Sequence, residues 1–441
     1  MNQKRRKMTR RERERIMRKR ARAKRRHRRM RKLAFYAKRL NYKHLTIFLA
    51  AIFVFLFSIN SFIVKPIVSV LQDKPSVTTT VKKKTVKKKT PAAPSFEVNF
   101  KAVGDNVVHE SAYKYANKMA GSPNEYDFSS IYSPIQSDLK NADLSFINQE
   151  TIMGGGTPSG YPKFNTPDTM MNSLSSLGVD VVNANTNHTL DQGASGVAHM
   201  ISLFKAQKKM MLLGIATNKS DYDTINYIEK NGLKFAFLSY TFGTNRSSTN
   251  RYNVKLFDTA LIKKEIATAK ANADFVIVSA HWGIEYTSTT NVLQDTYAKI
   301  FNQAGADVVI GTHPHVIQKM QWLTSAAGHK TLVAYSLGNF MSAQTTEARL
   351  LGGMLSCKFT KKNNVKSISN VEWIPLFTHI EASGISSGVI NDISNMKIYK
   401  VKDYNDELAK KHILNKSSTK VTKASLTAST KRVIKQFTID V

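Results

Sequence analysis

Residues Gly305–Gln318 read GADVVIGTHPHVIQ. The run Val308–Val309–Ile310 is short, apolar and β-branched, the composition of a buried strand. Gly311 and Thr312 end the run, and His313, Pro314 and His315 follow directly. Side chains two apart on an extended backbone point the same way. The spacing therefore predicts two imidazoles converging from one sheet edge, with Pro314 keeping His313 extended. Two imidazoles on one point are what a metal ion needs. Two ordinary surface histidines on a turn would carry the same letters, so the rest of the chain decides between the readings.

Further apolar, β-branched runs recur at Phe96–Val103, Leu144–Asn148, Val179–Asn185, Met211–Ile215, Phe235–Tyr240, Phe275–Ala280 and Leu332–Leu337. Between several of them lie segments of helical period, such as Ala260–Ala273 and Asp295–Ala304. This alternation predicts an α/β domain around a largely buried sheet. Several runs end in polar residues: Gly104–Asp105–Asn106 with His109, Asn148–Gln149–Glu150, Asn185–Thr186–Asn187–His188 with Asp191, His281–Trp282–Gly283 with Glu285, and Gly338–Asn339. Each alone is an ordinary turn. Ligands in open α/β sheets bind beyond the carboxyl ends of the strands, so together these clusters predict one shared site.

Asp105, Glu150, Asn187, His281, His313 and His315 offer carboxylate, amide and imidazole donors. The chain has a single cysteine, Cys357, so a disulfide within the chain and a cysteine-rich zinc site are excluded. The donor set suits Mn²⁺, Zn²⁺ or Fe, as one ion or two. Six donors exceed what one tetrahedral ion uses, and a carboxylate-bridged pair activates water for attack on phosphorus. His188 follows a ligand-type asparagine and is a candidate general acid. Asp191 either orients His188 or caps a helix over Asp191–Lys205. Trp282 either walls the site or packs in the core.

The formal net charge of +35 invites a nucleic-acid reading, but its distribution argues against one. Residues 1–44 hold 22 Lys or Arg against two acids, and 45–96 and 396–441 each add about +7. Residues 97–395 are left close to neutral, so the basicity lies in the flanks. Leu45–Val64 carries no charge and has the length of a bilayer-crossing helix. A signal peptide shares that order of basic then apolar residues, but the run is long for a signal core and no small-x-small cleavage site follows it closely. The expected organisation is a basic cytoplasmic arm at 1–44, an anchor at 45–70, and a Lys/Thr/Pro linker at 71–95. The folded domain is expected at 96–384, with a basic tail at 385–441 that holds one helix near Asp403–Leu414.

The stretches VGDNVVH, DLSFINQE, NANTNHTLDQG, SAHWGIEY, GADVVIGTHPHVIQ and YSLGNF, from Gly104 to Phe340, carry a pattern. It resembles the CapA family of capsule-synthesis proteins linked to poly-γ-glutamate. That resemblance implies a fold similar to the calcineurin-like metallophosphoesterases, a four-layer α/β/β/α sandwich. It also implies metal roles for Asp105, Glu150, Asn187, His281, His313 and His315, and an acid role for His188. Two departures stand out. Metallophosphoesterases usually open with Asp-x-His, and here the third residue is Val107. Their second motif usually reads Gly-Asp-x-x-Asp-Arg, and here Asn148–Gln149–Glu150 stands in its place. Two functions follow as expectations. One is a membrane-anchored hydrolase acting on a phosphoester or amide of an anionic polymer. The other is a non-catalytic component that guides such a polymer or scaffolds a membrane synthase. No nucleic-acid partner is expected.

The positive-inside rule places the arm in the cytoplasm and the domain outside. Protease added to wall-stripped intact cells is expected to digest the domain and spare the arm; a protected domain would reverse the orientation.

Overall fold

The computed structural model describes residues 95–416 and 420–441. The expected arm, anchor and linker fall outside the described residues. Among the latter, no helix is long and apolar enough to cross a membrane.

The β-branched and aromatic runs form fifteen strands among the described residues: β1 (Ser95–Asn106), β2 (Leu144–Gln149), β3 (Val181–Asn183), β4 (Met211–Leu213), β5 (Asn226–Lys230), β6 (Leu233–Thr241), β7 (Phe275–His281), β8 (Val308–Thr312), β9 (Met320–Thr324), β10 (Lys330–Ala334), β11 (Asn339–Met341), β12 (Leu351–Lys362), β13 (Val365–Ser386), β14 (Val389–Lys400) and β15 (Thr438–Ile439). They build two sheets. The first has the order β14-β13-β12-β1-β2-β3-β4, with β11 added beside β1 and β15 beside β13. The second has the order β5-β6-β7-β8-β10-β9. In both, the strands that lead to the polar clusters pair in parallel, β1 with β2, β2 with β3, and β7 with β8. Their carboxyl ends therefore share a rim.

The sheets pack face to face through aromatic side chains. The Phe359 ring lies 5.7 Å from Phe100 within the first sheet, and 5.0 and 4.6 Å from Phe235 and Phe275 of the second. Helices cover the outer faces. Helix α1 (Glu110–Ala120) packs on β14, and α2 (Gly193–Gln207) on β4. Helices α3 (Thr259–Asn272) and α4 (Val292–Ala304) bury Ile262, Ile266, Ala298 and Phe301 against the far side of the second sheet. Helix, sheet, sheet, helix is the layering that the resemblance implies. Local chemistry sets the helix ends. Asn291 and Gln294 form a capping box at the start of α4, and Gly305, at φ +100°, closes its end.

The C-terminal part departs from expectation. The boundary expected at residue 384 falls inside β13, and the expected tail supplies β14, helix α5 (Lys423–Val433) and β15. The described residues form one compact unit. The basic composition concealed an apolar face, unevenly spaced because a bulge interrupts the pairing of β14 with β13. Ile390, Ile393, Met396 and Ile398 turn inward and are buried, while Lys397 and Tyr399 between them reach the surface. The helix expected near Asp403–Leu414 is Asp406–Lys411, followed by a 3-10 turn at Ile413–Lys416.

A chain ending at residue 384 would leave the partner edge of β13 and the core face beneath β14 uncovered. Such a chain is expected to lose cooperative thermal unfolding, read by circular dichroism. A sharp transition at the full-length temperature would restore the tail reading.

Candidate metal centre

Two glycines let the backbones of the rim approach each other. A Cβ on Gly104 would stand 2.0 Å from the Gly338 carbonyl oxygen, and one on Gly311 would stand 2.0 Å from that of Tyr335. Without side chains there, β1 and β11 close on each other and the Asp105 amide donates to Gly338 O at 2.9 Å.

All six candidate ligands, which lie far apart in sequence, are buried. Donor atoms of Glu150, His281 and His313 lie within 4.8 Å of one another, and so do those of Asp105, Glu150 and His315. Nε2 of His315 is 3.5 Å from Glu150 Oε1, and its Nδ1 is 3.5 Å from Asp105 Oδ2. His281 Nε2 meets Asn187 Oδ1 at 2.8 Å. The six side chains expected to share a site are therefore together.

The geometry at His313 and His315 differs from the extended strand expected. Strand β8 ends at Thr312, and His313 and His315 have φ of +95° and +58°. Pro314 does not hold His313 extended. The rings, 6.0 Å apart, are brought to one side by a tight bend and not by strand alternation. A non-glycine residue at positive φ is strained, and such strain is held where the surroundings over-determine it. Here the His313 amide donates to Asp105 Oδ2 at 3.1 Å, and the Tyr286 amide donates to Pro314 O at 2.8 Å.

A second ring of polar residues orients the first. Ser239 donates to Asn183 Oδ1 at 2.6 Å, Asn183 to Asn148 Oδ1 at 2.6 Å, and Asn148 to Asp105 Oδ1 at 2.7 Å. Asn339 donates its amide to Arg349 O and Gln344 Oε1, which leaves its own oxygen to accept from His315 Nδ1 at 2.9 Å. The His315 proton then sits on Nδ1, and the Nε2 lone pair faces Glu150. Thr312 Oγ1 lies 2.9 Å from His281 Nδ1. Asn148 and Asn339 lie in the motif stretches DLSFINQE and YSLGNF, where each resembles a turn residue. Asn183 opens the stretch NANTNHTLDQG, where it stands at the end of an apolar run, and nothing in the sequence marks Ser239. Glu285, noted only as part of a polar cluster, brings a carboxylate within 4.8 Å of His313 and His315 at the exposed side of the site.

Burial sets the electrostatics. Desolvation raises the Asp105 carboxyl, and desolvation with the Asp105 charge holds Glu150 well above the usual carboxylate range. Desolvation pushes His313 down to about 3 and holds His281 well below an ordinary histidine, with the neighbouring imidazoles adding to both. No hydrogen-bond donor reaches either oxygen of Glu150, nor does His313 Nδ1 find a partner. Buried polar atoms of this kind are rare in native proteins and call for an explanation. A divalent cation answers the need at each atom, since carboxylate oxygen and neutral imidazole nitrogen are its ordinary donors. The residues present therefore fit a metal.

His188 stands at the wall of a cleft of about 650 Å³ lined by Tyr161, Lys163, Asp191, Arg246, Glu285 and Tyr286 among others. Its Nδ1 is 2.7 Å from Asp191 Oδ2, which also accepts from the Phe164 amide at 2.9 Å. The ring rests edge-on against Phe164. Asp191 does not cap the following helix: α2 begins at Gly193 after Gln192. Trp282 is core packing, fully buried with Nε1 donating to Tyr335 O at 2.8 Å. His109 packs its ring edge-on against Phe164 and joins neither donor group.

Replacing Glu150 with Gln removes one unpartnered charge and gives Asp105 a donor. In chelator-treated protein the Glu150→Gln variant is expected to be more stable by about 1–3 kcal/mol in urea unfolding. Added Mn²⁺ is expected to raise the melting temperature of the parent and to leave the variant nearly unmoved. An equal response from both would remove Glu150 from the ligand set.

Comparison with known proteins agrees with the rim motifs. The family model described as bacterial capsule synthesis protein PGA_cap matches residues 99–344. A protein named capsule biosynthesis protein CapA from Bacillus anthracis is 30% identical over 234 residues, covering 50% of this chain and 56% of that protein. One named PGA biosynthesis protein CapA from Bacillus subtilis (strain 168) is 31% identical over 175 residues, covering 39% and 44%. The chain thus spans about half the length of these relatives. Among solved structures, a phosphatase from Mycoplasma pneumoniae aligns at TM-score 0.39 with 17% identity, over 63% of this chain and 93% of that one. The calcineurin-like phosphoesterase YfkN from Bacillus subtilis aligns at TM-score 0.34 with 13% identity, over 77% and 97%. With the family match running through every rim motif from Asp105 to Asn339, this chain belongs to the bacterial capsule synthesis protein family PGA_cap.

Proposed function

We propose that this protein is a cell-surface, metal-dependent hydrolase that cuts a phosphoester or an amide of an anionic capsule polymer of the poly-γ-glutamate kind. The observation that carries the reading is the pair of unpartnered Glu150 oxygens beside the unpartnered Nδ1 of His313, all buried. Asp105, Glu150, Asn187, His281, His313 and His315 would hold one or two ions, Mn²⁺ or Zn²⁺. When bound, such ions supply Lewis-acid polarisation and an activated water. Asn339 and Asn148 keep His315 and Asp105 in their ligand orientations through the hydrogen bonds described above.

His188 is the proposed general acid. With its Nδ1 proton directed to Asp191 Oδ2, Nε2 is left to carry a proton to the leaving atom of a substrate in the cleft. Asp191, fixed by the Phe164 amide, holds the ring in that orientation. The reading also places the protein at the membrane, by a span at Leu45–Val64, with the cleft outside the cell. Binding and guiding the polymer without turnover is the second reading. What favours it is Val107, a buried aliphatic residue where a metallophosphoesterase usually offers an imidazole.

Turnover is tested on a panel of phosphoesters and γ-glutamyl amides with added Mn²⁺. The His188→Ala variant is expected to lose about 10²–10⁴-fold in kcat at unchanged metal content. His313→Ala is expected to lose the metal itself, measured by elemental analysis. Metal-loaded protein that cleaves nothing on the panel would leave the binding role.

A further inference from the structure

A second concavity shares no lining residue with the cleft at His188. It is a groove of about 680 Å³ walled by residues within 288–290, 316–321 and 429–436, with Ala348 and Leu351. Val316, Ile317, Met320 and Leu351 are almost wholly buried and form an apolar floor. The polar lining is one-sided in charge. Lys319, Arg432 and Lys435 line the groove and no carboxylate does. Lys319 is partly engaged, 3.5 Å from Asp295 and over the Tyr335 ring. Arg432 donates to the Ser429 hydroxyl, and neither it nor Lys435 pairs with an acid among the described residues. Glu347, nearby, is turned to the hydroxyls of Ser425 and Ser429.

We propose that this groove holds one anionic membrane phospholipid, its phosphate against Arg432 and Lys435 and an acyl chain along the floor. The volume is that of a site for a small molecule. Charge complementarity selects an anion, because two exposed cations line the groove without a carboxylate partner among the described residues. The floor selects an amphiphile. A polyanion with a charge on every unit would press carboxylates against Ile317 and Met320, at a desolvation cost that nothing there repays. A bare phosphate would leave the floor uncovered. A second copy docking by the same face would bring three cations against three. The groove's lining adjoins the candidate centre along the chain: Val316 follows His315 directly, and Ser288 follows Tyr286 by two residues. The proposal does not rest on hydrolysis and survives if the metal reading fails.

The test uses the full-length chain and dioctanoyl phosphatidylglycerol below its micelle concentration, titrated by calorimetry. Dioctanoyl phosphatidylcholine, glycerol phosphate and a γ-linked glutamate oligomer are the comparison probes. Phosphatidylglycerol is expected to bind at least about tenfold more tightly than each of the other three, and the double variant R432Q/K435Q to lose about tenfold, as two solvent-exposed charge contacts are worth. Both positions are exposed, so the variant keeps the parent melting temperature. The basic residues 1–44 are a background that the variant shares. Hydrogen exchange locates the contact, with slowing expected at 316–321 and 429–436. Equal binding of glycerol phosphate, equal or tighter binding of the glutamate oligomer, unchanged binding by the double variant, or slowing confined elsewhere would each overturn the proposal.

Discussion

Two carboxylates buried side by side without a cation set the terms for the whole rim. Asp105 has a donor at each oxygen, from Asn148 and from the His313 amide, and can stay ionised at some cost. Glu150 has none. A protein interior leaves such a group two outcomes, to take up a proton or to take up a metal ion. The imidazoles around it offer no countercharge, since burial keeps His281, His313 and His315 neutral. Neutral imidazoles and a charged carboxylate are the forms in which these groups bind metal. Desolvation thus readies the imidazoles as ligands, while it makes the carboxyls, Glu150 above all, groups that gain most from a cation.

Preparation also has a mechanical side. The bend that carries His313 and His315 is strained at both residues, and it is held from two directions. Asp105 accepts from the His313 amide, while Tyr286, itself at φ +62°, donates to the Pro314 carbonyl. The Tyr286 ring is stacked on His315, with the Arg349 guanidinium 3.5 Å from the ring centre. Asn339 ties His315 back to Arg349 through its carbonyl. Such closed circuits cost conformational freedom at folding and not at ligand binding, which is how a site is kept in register with its ligand.

Much of this was legible in the sequence, for physical reasons that differ by element. Strands buried on both faces, such as Phe275–His281, announce themselves as unbroken apolar runs, and each of the eight runs corresponds to a strand. Histidines and acids placed just beyond such runs could be gathered without knowing the pairing, because parallel strands end on a common rim. Strand β14 escaped because one face is wet and a bulge makes its buried positions uneven, so that the lysines diluted an apolar pattern without strict alternation. The bend at His313 escaped for another reason. A residue at positive φ is chosen by tertiary contacts, and the letters His-Pro-His fit an extended segment equally well. The chain from Ser239 to Asp105 escaped because hydrogen-bonding asparagines in a core look, in sequence, like interruptions of it.

The pairing of β1 with β12 carries a consequence for how the chain reaches this state. Phe100 lies against Cys357 and Val103 against Met354, partners separated by about 250 positions. The first strand thus waits, with one edge open, until nearly the whole domain has left the ribosome. Pairings so distant in sequence are slow to form, because the loop must close before any contact rewards it. An unpaired strand as apolar as Phe96–Val103 is meanwhile a template for other chains. Parallel partners β2 and β3 arrive much earlier and can shield the opposite edge. The order of synthesis therefore favours assembly from β1 toward β4 first, with β12 to β14 closing the sheet last.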